Sequence, residues 1–128
     1  MTASVKFSSI ESITVYDDGK QSRCFTDVSD VVNGLVALMD SGEAFGQVFN
    51  IGSYNEISIL DLAKKIIKMT NSSSEIVFIS YDDAYGEGFE DMRKRIPNIT
   101  KIKNTVGYLP QITLDQIIKN VISYHKDK

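Results

Sequence analysis

The sequence predicts a small α/β domain, and two hydrophobic patterns support that class. Short runs rich in β-branched residues alternate with longer stretches in which apolar residues recur every three to four positions. The expected order is strand, helix, strand, helix, strand, long loop, helix and helix. A length of 128 residues fits one domain. We therefore expect residues 1–128 to form a single domain, with a short, mostly three-stranded sheet flanked by about four helices.

Three short runs are predicted to be strands. Residues 12–16 alternate polar and apolar side chains, and an Asp-Asp-Gly turn follows them at 17–19. The chain is expected to continue in extended form over 21–25. Residues 48–52 are a short apolar run typical of a buried strand, and residues 75–80 are predicted to form a further strand.

The first helix is predicted from a continuous apolar stripe. Thr26, Asp27 and Ser29 offer side-chain oxygens for its N-terminal cap, and Gly42 marks its end. The apolar residues recur at helical spacing, so we expect them to pack on the core. They are Val28, Val31, Val32, Leu35, Val36 and Met39.

Three further helices are predicted from capping and stop signals. The second opens at Ser58 and ends near Thr70. A short third helix lies between Asn98, which should cap it, and Gly107, which should end it. The last helix opens at Thr113, the first residue of a capping box.

Residues 81–97 show no periodicity and are predicted to form a long loop, a feature that is often functional. The loop carries Asp82, Asp83, Glu87, Glu90 and Asp91. A hard cation such as Ca²⁺ takes several oxygen ligands, but the spacing of a calcium-binding loop is absent. An ordinary solvated acidic loop is therefore our interpretation, and no metal site is predicted.

The composition excludes several classes of protein. No apolar run approaches the ~20 residues of a membrane-spanning helix, and residues 1–12 lack the apolar stretch of a secretory signal. A net charge of −3 argues against a nucleic-acid binder, and the single Cys24 excludes a disulfide framework. We expect a soluble cytoplasmic protein that binds neither nucleic acid nor membrane, with residues 1–12 poorly ordered.

The common catalytic motifs are absent from the sequence. It contains no G-x-G-x-x-G, P-loop, H-E-x-x-H or G-x-S-x-G pattern. Cys24 has no neighbouring base to activate it, and His125 lies near the charged C-terminal end. We interpret both as ordinary side chains and predict no catalytic residue in this chain.

Three arginines are the candidate binding residues. Arg23 lies on an extended segment before the first helix, and Arg93 and Arg95 lie in the long loop. The planar guanidinium group matches two phosphate oxygens at once, which suits it to phosphate recognition. From the residues alone, ordinary surface salt bridges are the favoured interpretation, and the spacing of the arginines does not establish a phosphate site.

Four blocks of sequence occur in an order typical of one family. They are V-Y-D-D-G-K-Q-S-R-C-F-T-D-V-S-D at 15–30, F-N-I-G and I-S-I-L-D-L-A at 49–52 and 57–63, R-I-P-N-I-T-K at 95–101 and V-G-Y-L-P at 106–110. Together they resemble the C-terminal, substrate-binding portion of the extended short-chain dehydrogenase/reductases. The resemblance is to its NAD-dependent nucleotide-sugar epimerases, dehydratases and decarboxylases, and it covers nearly the whole chain.

The resemblance implies a role for each arginine. Arg23 matches the arginine that grips the diphosphate of a nucleotide-sugar, and Arg95 matches a second arginine near the nucleotide and its phosphates. Arg93 matches the family pattern less closely. The family carries NAD and a catalytic Tyr-x-x-x-Lys pair on an N-terminal Rossmann half. We predict that neither the cofactor site nor that pair belongs to this chain.

The chain departs from the family pattern at four positions. Asp17 replaces a glycine, Asp27 a tyrosine, Asn98 an acidic residue and Tyr108 a tryptophan. Two hypotheses remain open. The chain is either the substrate-binding portion of such an enzyme, without catalysis of its own, or a non-enzymatic module that binds a Rossmann half or a second copy of itself through an apolar face.

Overall fold

The computed structural model describes residues 11–128 and confirms the α/β class. Its elements are β1 (Ile13–Tyr16), β2 (Ser22–Cys24), α1 (Val28–Met39), β3 (Glu56–Ser58), α2 (Ile59–Thr70), β4 (Ile76–Ile79), α3 (Tyr81–Tyr85), α4 (Thr100–Val106) and α5 (Leu114–Lys126). A single 3₁₀ turn, Gly42–Ala44, follows α1. The disorder expected for residues 1–12 falls, apart from the last two, outside the described residues.

The strands pair differently from the prediction of a three-stranded sheet. In the described part of the chain, β1 pairs with β4 and β2 pairs with β3, which gives two two-stranded sheets. The strands β1 and β4 are parallel, with Ile13 opposite Ile76 and Tyr16 opposite Ile79. The connection between them contains both α1 and α2, as parallel pairing requires a crossover.

The strand predicted at 48–52 is wrong, because no ladder forms there. The sequence has strand propensity, but propensity produces a strand only where a neighbouring strand offers hydrogen bonds. Val48 instead is 84% exposed. The strand between α1 and α2 is β3, and it lies closer to α2 than predicted.

The loop predicted over 81–97 is interrupted by the short helix α3. Ser80 caps this helix by accepting a hydrogen bond from the backbone N–H of Asp83 at 3.2 Å. Four aromatic rings cluster here, belonging to Tyr16, Tyr81, Tyr85 and Phe89. Too few apolar positions lie in α3 for a periodicity to be visible in the sequence.

The predicted capping residues are in place. Asp27, Ser58 and Thr113 each accept a hydrogen bond from a backbone N–H two or three residues further on, at 2.9, 3.1 and 3.2 Å. Asn98, predicted to cap α4, accepts a hydrogen bond from the backbone N–H of Thr100 at 3.0 Å, but the N-cap position itself is Ile99, one residue later than predicted. Gly107 ends α4 with φ +71°, a conformation that glycine adopts without strain.

The chain divides into two compact units. Unit 1 comprises the described residues up to Ser22, together with Ile57–Arg93 and Ile118–Lys128. Unit 2 comprises Arg23–Glu56 and Lys94–Ile117. That these units belong to one domain, as the length predicts, stays a prediction.

Unit 1 packs the predicted Asp-Asp-Gly turn tightly against α2. Gly19 has φ +70°, and a Cβ atom there would lie 2.7 Å from Val15 Cγ1 and 2.9 Å from Leu60 Cβ. The backbone N–H of Leu60 donates to the Gly19 carbonyl at 3.0 Å. Only glycine fits at this point of the turn.

Unit 2 has its own core around three buried residues, Ile99, Ile102 and Tyr108. The Tyr108 hydroxyl donates to the Gly52 carbonyl at 3.2 Å. Burial, with a smaller contribution from the Asp30 carboxylate, raises the pKa of Tyr108 above its ordinary value. The tyrosine that replaces the family's tryptophan is thus a core residue.

The apolar stripe of α1 is a second correction. We expected it to pack on the core, but five of its six residues are largely exposed: Val28, Val32, Leu35, Val36 and Met39. The residues that α1 buries are instead Asp30 and Gly34. The helix lies where predicted, but the face that we expected to be buried is the exposed one.

Candidate functional site

Arg23 and Arg95 follow two segments that the fold brings together. The backbone N–H of Ser22 donates to the carbonyl of Arg93 at 2.8 Å. Arg23 comes directly after the donor, and Arg95 comes two residues after the acceptor. Arginines about 70 residues apart in sequence therefore extend from neighbouring backbone segments, which sequence spacing could not establish.

The side chains of the two arginines differ in their burial and in their interactions with the rest of the protein. Arg23, in the middle of β2, is half-buried and interacts with other residues of the chain. Arg95 is exposed, and its guanidinium forms no hydrogen bond or ion pair with any other residue of the range 11–128. Arg95 is therefore the freer of the two to bind an external anion.

Arg93 has a different environment, which ties it to the turn after β1. Its Nη1 and Nη2 atoms donate to Asp18 Oδ1 and Oδ2 at 2.8 and 2.7 Å, and Nη1 also lies 3.3 Å from Asp17 Oδ2. This bidentate hydrogen bond holds the pKa of Asp18 well below its ordinary value. Reciprocally, Asp18 raises the pKa of Arg93.

An open depression of about 400 Å³ lies on unit 2 beside the start of α4. Its lining residues are Tyr54, Pro97, Asn98, Ile99, Thr100, Lys103 and Leu109. The volume is within the range of small-molecule sites. Lys103 is the charged member of the lining, and Pro97 lies two residues after Arg95.

The segment that leads into α4 carries a charge pattern that no sequence motif reveals. Residues 92–114 contain five basic side chains and no acidic one, in a chain whose net charge is −3. The basic residues are Arg93, Lys94, Arg95, Lys101 and Lys103. Such a one-sign stretch creates a local field that attracts anions.

Two of the lysines in that stretch are used by the protein itself. Lys94 forms an ion pair with Glu56 at 3.5 Å. Lys101 donates to the Val48 carbonyl at 2.9 Å. The side chain of Lys103 has no such partner within residues 11–128.

The other candidate residues show no activated group. Burial, and then the Glu56 carboxylate, raises the pKa of the Cys24 thiol, which disfavours the thiolate. Among residues 11–128, no three metal-ligating side chains come together. Nor does any helix in this part of the chain have the length and apolarity to cross a membrane.

No described segment fits the phosphate loop of a dinucleotide site. That loop joins a strand to the N-terminus of a helix. The one G-x-G pair of the sequence, Gly86 and Gly88, instead follows the helix α3, and no helix opens directly after it.

The prediction that the chain lacks a Tyr-x-x-x-Lys spacing is wrong, because Tyr16–Lys20 and Tyr124–Lys128 have it. At this spacing two side chains share a helix face only within a continuous helix. Tyr16 is the last residue of β1, and Lys20 lies beyond the turn. The helix α5 ends at Lys126, before Lys128. Neither pair therefore has the helical arrangement.

Comparison with known proteins identifies the family. The family model described as GDP-mannose 4,6 dehydratase matches residues 1–121. The UDP-N-acetyl-α-D-glucosaminuronate decarboxylase of Bacillus cytotoxicus is 39% identical over 117 residues, which are 91% of this chain and 36% of the relative. UDP-glucuronic acid decarboxylase 4 of Arabidopsis thaliana is 41% identical over 106 residues, which are 83% of this chain and 22% of the relative.

Solved structures show the same fold. The UDP-glucose 4-epimerase of Thermotoga maritima, determined with UDP-glucose, superposes with a TM-score of 0.79 at 28% identity. The UDP-glucuronic acid 4-epimerase of Bacillus cereus, determined with UDP-glucuronic acid and NAD, gives 0.78 at 26% identity. Each match covers 91% of this chain and 35% of the solved one.

The chain thus spans about a third, or less, of the length of the relatives that it matches. The resemblance carried by its four sequence blocks is confirmed by all three comparisons. The chain belongs to the GDP-mannose 4,6-dehydratase family, and it corresponds to the C-terminal portion of an extended short-chain dehydrogenase/reductase.

Proposed function

We propose that this chain is the substrate-binding portion of an NAD-dependent enzyme that modifies a nucleotide-sugar. Arg23 and Arg95 grip the diphosphate of the substrate, and NAD binds to a part of the enzyme outside this chain. The relatives named above are two decarboxylases of UDP-sugar acids and two epimerases of UDP-sugars. The diphosphate is the feature that such substrates share, whatever the sugar.

The hydrogen bond between Ser22 and Arg93 is the observation that supports this proposal most directly. Because the two backbone segments are neighbours, a single diphosphate can be within reach of both Arg23 and Arg95. Two bidentate guanidinium groups suit its several oxygens. The unpartnered Lys103 adds positive charge on the same unit.

Arg93 is the least suited of the three predicted ligands. To bind a phosphate it would first have to leave the carboxylates of Asp17 and Asp18, to which it is hydrogen-bonded. We therefore propose that Arg93 holds the turn after β1 and contributes little directly to binding. Its replacement should weaken binding less than that of Arg95.

Titration of the ¹⁵N-labelled chain with UDP-glucose and dTDP-glucose, followed by NMR, tests the proposal. Saturable shifts are expected near Arg23 and Arg95. Arg95→Ala should weaken binding about 10- to 100-fold, because charge-assisted hydrogen bonds are lost. Arg95→Lys keeps the charge but not the bidentate fork, so its affinity should lie between those of the wild-type chain and Arg95→Ala. Lys64→Ala, an exposed change on α2, is the matched control.

Comparison of UDP with UMP and uridine adds a second criterion. If the diphosphate is the handle, affinity should fall in that order. Binding of uridine as tight as that of UDP would contradict the proposal. So would equal affinity of the wild-type chain and Arg95→Ala for UDP-glucose.

A non-enzymatic interaction module on the same scaffold is the second candidate function. The exposed apolar face of α1 favours it. Light scattering at two concentrations discriminates the two candidates. Self-association without saturable nucleotide binding supports the module, whereas a monomer that binds UDP-glucose supports the substrate-binding role.

A further inference from the structure

The segment between α3 and Arg93, residues 86–92, has little backbone hydrogen bonding of its own. Gly86 ends α3 with φ +92°, and Gly88 follows with φ +82°. Residues 87–90 are exposed, and within the range 11–128 their backbone groups form no hydrogen bond. A segment with so few contacts of its own is ordered only where side chains hold it.

Aromatic and polar side chains connect this segment back to α3. The ring of Phe89 stacks on that of Tyr85, with the two centroids 4.4 Å apart. The Tyr81 hydroxyl donates to Asp91 Oδ2 at 3.4 Å, which is a long hydrogen bond.

Arg93 connects the end of the segment to the turn after β1, and it does so at two points. Its guanidinium donates to both carboxylate oxygens of Asp18, at 2.8 and 2.7 Å. Its backbone carbonyl accepts from the N–H of Ser22 at 2.8 Å. One residue is thus attached to both ends of the stretch 18–22, through its side chain and through its backbone. We call this two-point attachment the Arg93 clamp.

Asp17 adds a second carboxylate to the clamp. Its φ of +53° lies in the left-handed region, where the family pattern has a glycine and where aspartate is among the better-tolerated residues. The Asp17 carboxylate lies 3.3 Å from Arg93 Nη1. This departure from the family pattern therefore has a structural consequence in the chain.

We propose that Asp18, acting through Arg93, is a positioning residue for Arg95. The clamp fixes the backbone of Arg93, and Arg95 follows two residues later. Ordering a loop costs free energy on binding, and a clamp that orders it in the free protein removes part of that cost. The effect on binding rests on the proposed function, in which Arg95 grips the substrate diphosphate.

The geometry of the clamp distinguishes it from an ordinary surface ion pair. The side chains of Arg93 and Asp18 are 56% and 39% exposed, and a single pair so exposed contributes little to stability. Here the guanidinium is bidentate on one carboxylate, which fixes its orientation as well as its distance. The clamp can therefore hold a geometry even where it adds little stability.

The sign of one substitution separates positioning from electrostatics. Asp18→Asn removes a negative charge and releases Arg93, so Coulomb attraction alone predicts tighter binding of UDP-glucose. Positioning predicts the opposite, and we expect binding about 3- to 10-fold weaker than that of the wild-type chain in the NMR titration. Glu90→Gln removes the same charge from an exposed position of the segment. This matched control should bind at least as tightly as the wild-type chain.

Two further variants test whether Asp18 acts through Arg93. Asp18→Glu keeps a carboxylate acceptor and should bind within about 2-fold of the wild-type chain. Asp18→Asn combined with Arg93→Gln should bind no more weakly than Arg93→Gln alone, because both changes remove the same contact. Additive losses would show that the two residues act independently and would contradict the proposal.

Backbone ¹⁵N relaxation of the ligand-free chain provides a readout that a purely stabilising role would not change. The amides of residues 91–95 should have order parameters near 0.85 in the wild-type chain and in Glu90→Gln. In Asp18→Asn they should fall toward about 0.6, while those of α2 stay unchanged.

Failure of this proposal can be distinguished from failure of the proposed function. If the wild-type chain binds no UDP-glucose, the proposed function is wrong. If the wild-type chain binds and Asp18→Asn binds as tightly or more tightly, the proposed function stands and the positioning role is overturned. Order parameters at 91–95 that are the same in Asp18→Asn and wild type also overturn it, with or without nucleotide binding.

Discussion

The two faces of α1 have opposite chemistry and opposite burial. On the inner face, the Asp30 carboxylate accepts hydrogen bonds from the backbone N–H groups of Gln111 and Ile112 at 3.0 and 2.9 Å. Beside it, Gly34 lies so close to Tyr108 that an added Cβ would be 3.0 Å from the ring. The outer face presents aliphatic side chains such as Leu35 to solvent.

This contrast teaches that the buried face of a helix need not be its apolar face. The inner contact is specific, with a charged acceptor and a close approach that glycine permits. The outer face has area but no partner within unit 2. A continuous apolar stripe therefore need not face the core of the helix's own unit, and in α1 it does not.

The largest expected effect comes from breaking the inner contact. Asp30→Ala removes the acceptor of two backbone N–H groups from a residue that is only 4% exposed. We expect the free energy of unfolding to fall by about 3 kcal/mol, since hydrogen bonds to charged groups contribute more than neutral ones. Urea denaturation followed by circular dichroism measures the change.

Asp30→Asn is the matched control for this variant. It keeps one oxygen as an acceptor and nearly the same volume, so it should lose less than half as much stability as the alanine variant. An alanine variant as stable as wild type would show that the inner contact does not hold α1 in place.

The same contrast explains what the sequence could and could not predict. Capping residues such as Asp27 and Ser58 act through neighbouring backbone groups, so local pattern located α1 and α2 correctly. The burial of Asp30 depends on backbone groups about 80 residues away, and no local pattern contains that information.

The prediction of a strand at 48–52 failed for the same physical reason. Its residues have strand propensity, but strand formation needs hydrogen bonds from a second segment.

For the candidate site, residue type and the family resemblance singled out Arg23, Arg93 and Arg95. Only the structure separated Arg93, which two carboxylates occupy, from Arg95, which is open to solvent.

A smaller effect is expected from Tyr108→Phe, which keeps the ring packed against α1 and removes one hydrogen bond. The hydroxyl donates to the Gly52 carbonyl at 3.2 Å, so the expected loss is about 1 kcal/mol. Burial raises the pKa of Tyr108, so wild-type stability should also decline as the pH rises past the ordinary tyrosine value of about 10.

The phenylalanine variant cannot ionise, so it should lack the alkaline loss of stability that this tyrosine causes. Thermal melts between pH 8 and pH 11 measure that difference. Identical pH profiles of the wild-type and phenylalanine proteins would show that ionisation of Tyr108 does not cause the alkaline loss of stability.

The arginine that is hydrogen-bonded to two carboxylates makes a weaker contribution to stability, and this contribution depends on pH. Arg93 holds the pKa of Asp18 below its value in the unfolded chain, so this pair stabilises the fold above about pH 4. The contribution is lost as the pH falls from there toward the lowered pKa. Arg93→Ala should therefore flatten the acid limb of stability against pH, whereas Arg95→Ala should leave that limb unchanged.

The smallest expected effect is the most informative about the outer face. Leu35→Gln should change the unfolding free energy of the separate chain by less than about 0.5 kcal/mol, because an exposed side chain loses little packing. Ile102→Ala, at a fully buried position of unit 2, should cost about 3 kcal/mol in the same assay. A cost for Leu35→Gln close to that of Ile102→Ala would mean that the outer face is packed within this chain. A near-zero cost would mean that the apolar stripe of α1 plays no part in the stability of this unit, which Asp30 and Gly34 on the opposite face then hold without it.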